Sequence, residues 1–299
     1  MKFVLIGSVM SSECALEIMI KKNIDIQMVF SLDEAYSINV STYRPIHKMA
    51  EKYGIPFKKF HKINDLENLE ILRSIEPDYI FVIGLSQLVK SDLLACAKKG
   101  VIGYHPAPLP KFRGRAAIVW QILLGIKETA VSLFYLDEGT DSGDIICQEK
   151  FTIGDNDYAE DVLEKAKEAA LRAISKGIDL ILDPEFVPQK QNHNDATYLL
   201  KRNPEDGKID WNSDGQYIQR FVRAVSKPYP GAFSEYEGRE KVIFWKADFI
   251  KTDKYYGFNG QIISKTEQYI EILCNGGILK VFEYENLEGA KLLVGHRFK

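Results

Sequence analysis

The run Gly103-Tyr-His-Pro-Ala-Pro-Leu-Pro-Lys-Phe-Arg-Gly-Arg115 sets His105 directly after an apolar stretch and ahead of three prolines. A histidine changes charge near neutrality, so it can take a proton, return it, or donate to a developing oxyanion. Pro106, Pro108 and Pro110 restrict the backbone, which suits a loop that must hold one shape, and an X-Pro bond here is a candidate for the cis form. Arg113 and Arg115, separated by one glycine, are cations suited to an anionic substrate group. Residue type alone leaves plainer readings open: a histidine satisfied by backbone at a strand end, and arginines in surface ion pairs.

A second run, Leu136-Asp-Glu-Gly-Thr-Asp-Ser-Gly-Asp-Ile145, gathers Asp137, Glu138, Asp141 and Asp144 around Gly139 and Gly143. The spacing does not meet the EF-hand pattern. It reads as a turn, or as a loop that presents a carboxylate to a neighbouring group.

These loops need a frame. Phe3 to Ile6, Asp25 to Phe30, Tyr79 to Ile83 and Val101 to His105 are short apolar runs, with helical patterns at Ala15 to Ile20 and Pro45 to Tyr53 between them. Such alternation predicts a doubly wound, mostly parallel, Rossmann-like α/β sheet covered on both faces, with ligands at the carboxyl ends of its strands. Ala130 to Leu136 and Ile145 to Phe151 add two strands around the acidic loop. Asp157 with Glu160 has the spacing of a capping box, and the apolar positions Val162 to Ile174 continue it as a helix. A polar stretch follows, then short aromatic and β-branched runs punctuated by glycines, which predict a smaller β-rich C-terminal domain, in the form of a partly closed barrel. The expected layout is a catalytic domain over 1–186, a linker over 187–204 and the β-rich domain over 205–299.

Composition narrows the class. With 299 residues, 45% of them hydrophobic, the chain can build one large core or two smaller ones. A net charge of −3 argues against a molecule-wide nucleic-acid surface. Cys14, Cys96, Cys147 and Cys274 form no CxxC pair, so no metal site is expected and reduced buried thiols are. No segment has the length of a signal peptide or a spanning helix, so the expectation is a cytoplasmic protein that touches no membrane.

The pattern His105-Pro-x-x-Leu-Pro-x-x-Arg-Gly114, followed by Asp137-x-Gly-x-Asp-x-Gly-Asp144, resembles the tetrahydrofolate-dependent formyltransferases. Residues 201–232 are similar to the junction and second domain of the methionyl-tRNA and sugar members, so the resemblance covers nearly the whole chain. It implies that an amine attacks the formyl carbon of the co-substrate N10-formyltetrahydrofolate. His105 would stabilise the oxyanion or shuttle its proton, and Asp141 would tune the histidine and help deprotonate the amine. The resemblance further implies folate contacts at Leu85, Ser86, Gln87, Leu88 and Val89 on one side. Leu136, Glu138 and Thr140 would close the other side. One departure stands out. The family carries Asn two residues before the histidine, and this chain has Gly103. Losing such a donor costs about 3 kcal/mol; either another group supplies it or turnover is weak.

The methionyl-tRNA enzymes carry a basic insertion after the second strand, but Ser31 to Tyr43 here holds two acids and no Lys or Arg. Gripping a phosphate backbone requires several cations. The pattern most resembles bacterial sugar N-formyltransferases that act on surface-polysaccharide precursors. The expected acceptor is therefore a nucleotide-linked amino sugar, its phosphates held by Lys111, Arg113 or Arg115. Nucleic acid is not an expected partner. The β-rich part is read as serving scaffold or homodimer contacts, or substrate binding. The alternatives are a methionyl-tRNA formyltransferase, a folate- or sugar-nucleotide-binding protein with little turnover, and hydrolysis of the folate to formate.

Overall fold

The computed structural model describes residues 1–299 apart from Asn39, Ser41, Ser86 and Glu288. The four apolar runs of the first half become β1 (Phe3–Gly7), β2 (Ile26–Leu32), β4 (Tyr79–Ile83) and β5 (Gly100–His105), and β3 (Phe57–Phe60), whose two central lysines gave no apolar run, adds an edge strand the sequence pattern did not show. A two-residue strand, β6 (Arg113–Gly114), precedes the hairpin β7 (Glu128–Tyr135) and β8 (Ile145–Thr152). All but β6 form one seven-stranded sheet in the order β3-β2-β1-β4-β5-β7-β8. The strands from β3 to β5 run parallel, and β7 and β8 pair antiparallel at the far edge. β1 and β4 are buried at every position, which is why their sequences are unbroken apolar runs rather than alternating ones.

Five helices interleave with these strands: α1 (Met10–Lys21), α2 (Ile46–Lys52), α3 (Leu66–Ile75), α4 (Ser91–Leu94) and α5 (Ala117–Leu123). The long α6 (Ala159–Leu182) follows β8. Its Ala166, Ala169, Ala170, Ala173, Ile174 and Ile178 are buried at helical spacing. Gly177 lies so near Leu133 of β7 that a methyl there would overlap it. The start of α6 differs from the sequence pattern by one residue. Asp157 turns its carboxylate to the Gly154 N–H (2.6 Å), and Asp161 reaches back to the Tyr158 N–H (2.8 Å). Asp161 thus closes the first turn of α6 onto the Tyr158 N–H.

The chain divides into two compact units. Met1–Ala117, Glu128–Thr152 and Glu164–Leu199 form the first, and Ile118–Lys127, Ile153–Leu163 and Leu200–Lys299 the second. Part of the stretch expected as linker, up to Leu199, therefore sits in the first unit, where β9 (Tyr198–Leu199) pairs with β6. In the second unit α7 (Gly215–Val225) precedes β10 (Ala232–Tyr236), β11 (Glu240–Lys251), β12 (Ile262–Lys265), β13 (Ile270–Cys274) and β14 (Gly277–Asn286). The sheet is antiparallel, in the order β10-β11-β14-β13-β12. Bridges from Phe298 to Tyr236 and from Arg297 to Gln261 tie the tail to both ends of that order, a partial closure of the kind a barrel needs. Trp211, Tyr236, Phe244 and Phe298 pack together inside it. Among the described residues no helix is long and apolar enough to cross a membrane. All four cysteines are unpaired and buried, and burial pushes the Cys14 and Cys147 thiols up to about 11.

Candidate active site

His105 is the last residue of β5, at the carboxyl edge of the parallel strands. Its neighbours across the sheet are polar: His105 pairs with the buried Ser132 on β7, and Ser132 pairs with the half-buried Gln148 on β8. The Ser132 hydroxyl donates to the Ala107 carbonyl (2.6 Å) and accepts from the Leu109 N–H (3.2 Å). The Gln148 amide donates to the Leu109 carbonyl and to the Ser132 hydroxyl, each at 2.8 Å. These two side chains, absent from the sequence reading, pin the proline loop behind His105. Ser132 shows in the sequence as a polar residue inside the apolar run of β7, whereas Gln148 stands beside Glu149 and Lys150 in β8 and carries no such signal. The Leu109–Pro110 bond in that loop is cis.

Both imidazole nitrogens are placed. Nε2 lies 2.7 Å from the Phe112 carbonyl oxygen, which can only accept, so Nε2 carries a proton. Nδ1 faces Asp141 Oδ2 at 3.7 Å, beyond direct hydrogen-bond length. Asp141 Oδ2 also accepts the Gly114 N–H at 2.8 Å. The loops from β5 and from the β7–β8 connection therefore meet at this carboxylate. An N–H group about 3 Å from both atoms would bridge them, which is the geometry required of a base acting on an amine.

Arg113 does not reach the cleft. It is only 2% exposed, and its guanidinium donates to Gln191 Oε1 (2.6 Å and 3.2 Å), to the Tyr198 hydroxyl and to His193 Nδ1. The expectation that it holds a substrate anion is corrected: its charge is spent on the protein interior. Arg115 is exposed and lines the cleft, whereas Lys111 is exposed but lies outside the lining. The Tyr43 hydroxyl donates to the Leu32 carbonyl, and Trp120 donates to the Leu200 carbonyl within the second unit.

The cleft beside His105 has a volume of about 490 Å³. One wall is Gly84, Leu85, Gln87, Leu88 and Val89, the loop after β4, and the other is Leu136, Asp137, Gly139, Thr140 and Asp141. Glu138 is not in the lining, and Ser86 lies outside the described residues. Gln87 turns its side chain toward the protein: Oε1 accepts the Ile63 N–H and Nε2 donates to the His61 carbonyl. Asn64 holds the same loop through the Leu88 carbonyl and the Lys90 N–H. So fixed, the loop leaves Leu88 73% exposed beside the cleft, an apolar surface open to a ligand. On the floor, Gly103 is covered by the Leu136 side chain.

Residues 3–178 match the family model described as "Formyl transferase", and residues 201–298 match its C-terminal domain. The chain belongs to the formyl transferase family. This formyltransferase is 32% identical to the methionyl-tRNA formyltransferase of Citrifermentans bemidjiense, over 83% of its own length and 76% of that protein's. Its fold matches an N-formyltransferase from Helicobacter canadensis solved with folinic acid and dTDP-3-aminofucose. That match has a TM-score of 0.73 and 22% identity, and covers 95% of this chain and 100% of that one. The methionyl-tRNA formyltransferase from Clostridium thermocellum matches with a TM-score of 0.60 and 21% identity, covering 92% of this chain and 100% of that one.

Proposed function

We propose that this formyltransferase moves the formyl group of N10-formyltetrahydrofolate onto the amine of a nucleotide-linked amino sugar. The observation that carries the chemistry is the placement of His105 Nδ1 and Asp141 Oδ2, 3.7 Å apart at the cleft, with Nε2 already committed to the Phe112 carbonyl. The acceptor amine, as the free base, donates an N–H to this pair and attacks the formyl carbon. The nitrogen–carbon bond forms and the carbonyl becomes an oxyanion. His105 takes the amine proton on Nδ1 and, then a double donor, stabilises the oxyanion. Collapse breaks the bond to N10, which receives the proton as tetrahydrofolate leaves. The pterin lies between the 84–89 loop and the 136–141 loop, with Leu85, Leu88 and Val89 as its apolar contacts.

For the acceptor, the support is the segment after β2. Residues 31–43 offer no Lys or Arg, and Glu34 within it is already paired with Lys59 (2.7 Å). Nothing there grips a nucleic-acid backbone. Arg115 lines the cleft, and in this reading it meets a nucleotide phosphate. A second reading, formylation of methionyl-tRNA, is favoured by the relationship to the Citrifermentans bemidjiense enzyme. One experiment separates them. The chain is incubated with N10-formyltetrahydrofolate and, in parallel, dTDP- and UDP-linked amino sugars, methionyl-tRNA, or no amine. Formylated sugar nucleotide is expected. Formylated methionyl-tRNA with no sugar product would establish the second reading, and folate consumption without amine would indicate hydrolysis.

A further inference from the structure

The polar stretch before the second unit does more than connect. Gln189 forms a two-way backbone bridge with Ile145 at the start of β8 (2.7 Å and 2.8 Å). Gln191 is buried, and its amide donates to the carbonyls of Asp141 (2.9 Å) and Gly143 (2.6 Å). Its carbonyl accepts from the buried Arg113 guanidinium. Farther along, the Thr197 hydroxyl accepts the Phe112 N–H (2.8 Å), and the backbone of 197–199 pairs with that of 113–115. Gly114 has φ +109 and lies so close to the Leu199 carbonyl that a side chain there would strike backbone.

Both of the loops that meet at the site are therefore fastened to one segment. Asp141 has φ +48, a left-handed conformation that few non-glycine residues adopt without support. The Gln191 amide holds the carbonyl of that residue and the one two positions on. Phe112, whose carbonyl fixes the His105 proton on Nε2, is itself fixed by Thr197. A charged donor on the Gln191 carbonyl polarises the amide and strengthens its two donations.

We propose that residues 189–199 are a strap that sets Asp141 against His105, with Gln191 as its positioning residue. Gln191 touches no substrate; it acts through the backbone of the Asp141 loop. The proposal rests on the reading that His105 and Asp141 carry the transfer. Gln191→Glu keeps a partner for Arg113 but places a carboxylate against two carbonyl oxygens. Thr197→Val removes one exposed hydroxyl at the other end of the strap.

The test uses the full chain, N10-formyltetrahydrofolate, and the amine from the panel above that the parent formylates. Turnover is normalised to the folded fraction. For Gln191→Glu, kcat is expected to fall about 10- to 100-fold, as small misplacements of reacting groups do. The folate KM should stay within about twofold, and the pH dependence of kcat should change shape. Thr197→Val should lower kcat severalfold at an unchanged melting temperature, and it carries the test if the Gln191 variant does not fold. Parent-like kcat and pH profile in the folded variants would overturn the strap. If instead the parent formylates no amine, or His105→Ala leaves turnover unaltered, the reading beneath it fails.

Discussion

Leu136 lies where a side chain on residue 103 would have to go. A methyl built on Gly103 overlaps the Leu136 Cδ2 and meets its Cγ at 3.0 Å. A side chain on residue 103 and the Leu136 side chain thus compete for one space. Gly103→Asn alone is expected to destabilise the chain by about 1–3 kcal/mol, the usual cost of overpacking, and to lower kcat. Adding Leu136→Ala should recover much of both. Melting temperatures and kcat for the two single variants and the double variant check this, and additive effects would show that the positions are independent.

Ser132 bridges the Ala107 carbonyl, the Leu109 N–H and the Gln148 amide with one buried hydroxyl. Ser132→Ala leaves those groups short of a partner inside the sheet. The expected cost is about 1–3 kcal/mol of stability, with a loss of kcat because the loop carrying His105 loosens. Denaturant unfolding and kcat measured on the same sample test both parts.

Acid should weaken the first unit through His47 and Glu34. His47 is buried, with Nδ1 by the Ser31 hydroxyl and Nε2 by Glu34, and burial holds it below its ordinary 6.5 despite the carboxylate. Below that value the unfolded imidazole binds a proton that the folded one refuses. Stability is therefore full above about pH 6.5 and falls as pH drops toward the folded value. Glu34, held down to about 2 chiefly by the Lys59 hydrogen bond, adds a second loss from 4.5 down toward 2. Melting temperature is expected to decline as pH falls below about 6.5, and His47→Gln should flatten that decline. An equal decline in the variant would assign it elsewhere.

The fold was readable because its signals are local. Unbroken apolar runs mark β1 and β4, and glycine-punctuated short runs mark β10 to β14. His105 and the Asp141 loop were readable for the same reason, since prolines, glycines and acids gather where strands end. The support was not. Ser132 and Gln148 matter only because the β5–β7–β8 register lines them up with His105, and single-strand patterns do not encode cross-strand register. Gln191 sits in a polar stretch whose composition is that of any connector. Arg113 was misjudged because charge suggests solvent, while its partners, Gln191, His193 and Tyr198, lie about eighty residues away.

In the proposed mechanism His105 and Asp141 together move the amine proton during transfer. The most direct measurement is the single-turnover rate of formyl transfer in Asp141→Asn against the parent, at equal folate occupancy. An amide keeps an acceptor for the Gly114 N–H but is no base. The rate is expected to fall by about 10²–10⁴-fold with folate affinity unchanged. A rate within about twofold of the parent would contradict it.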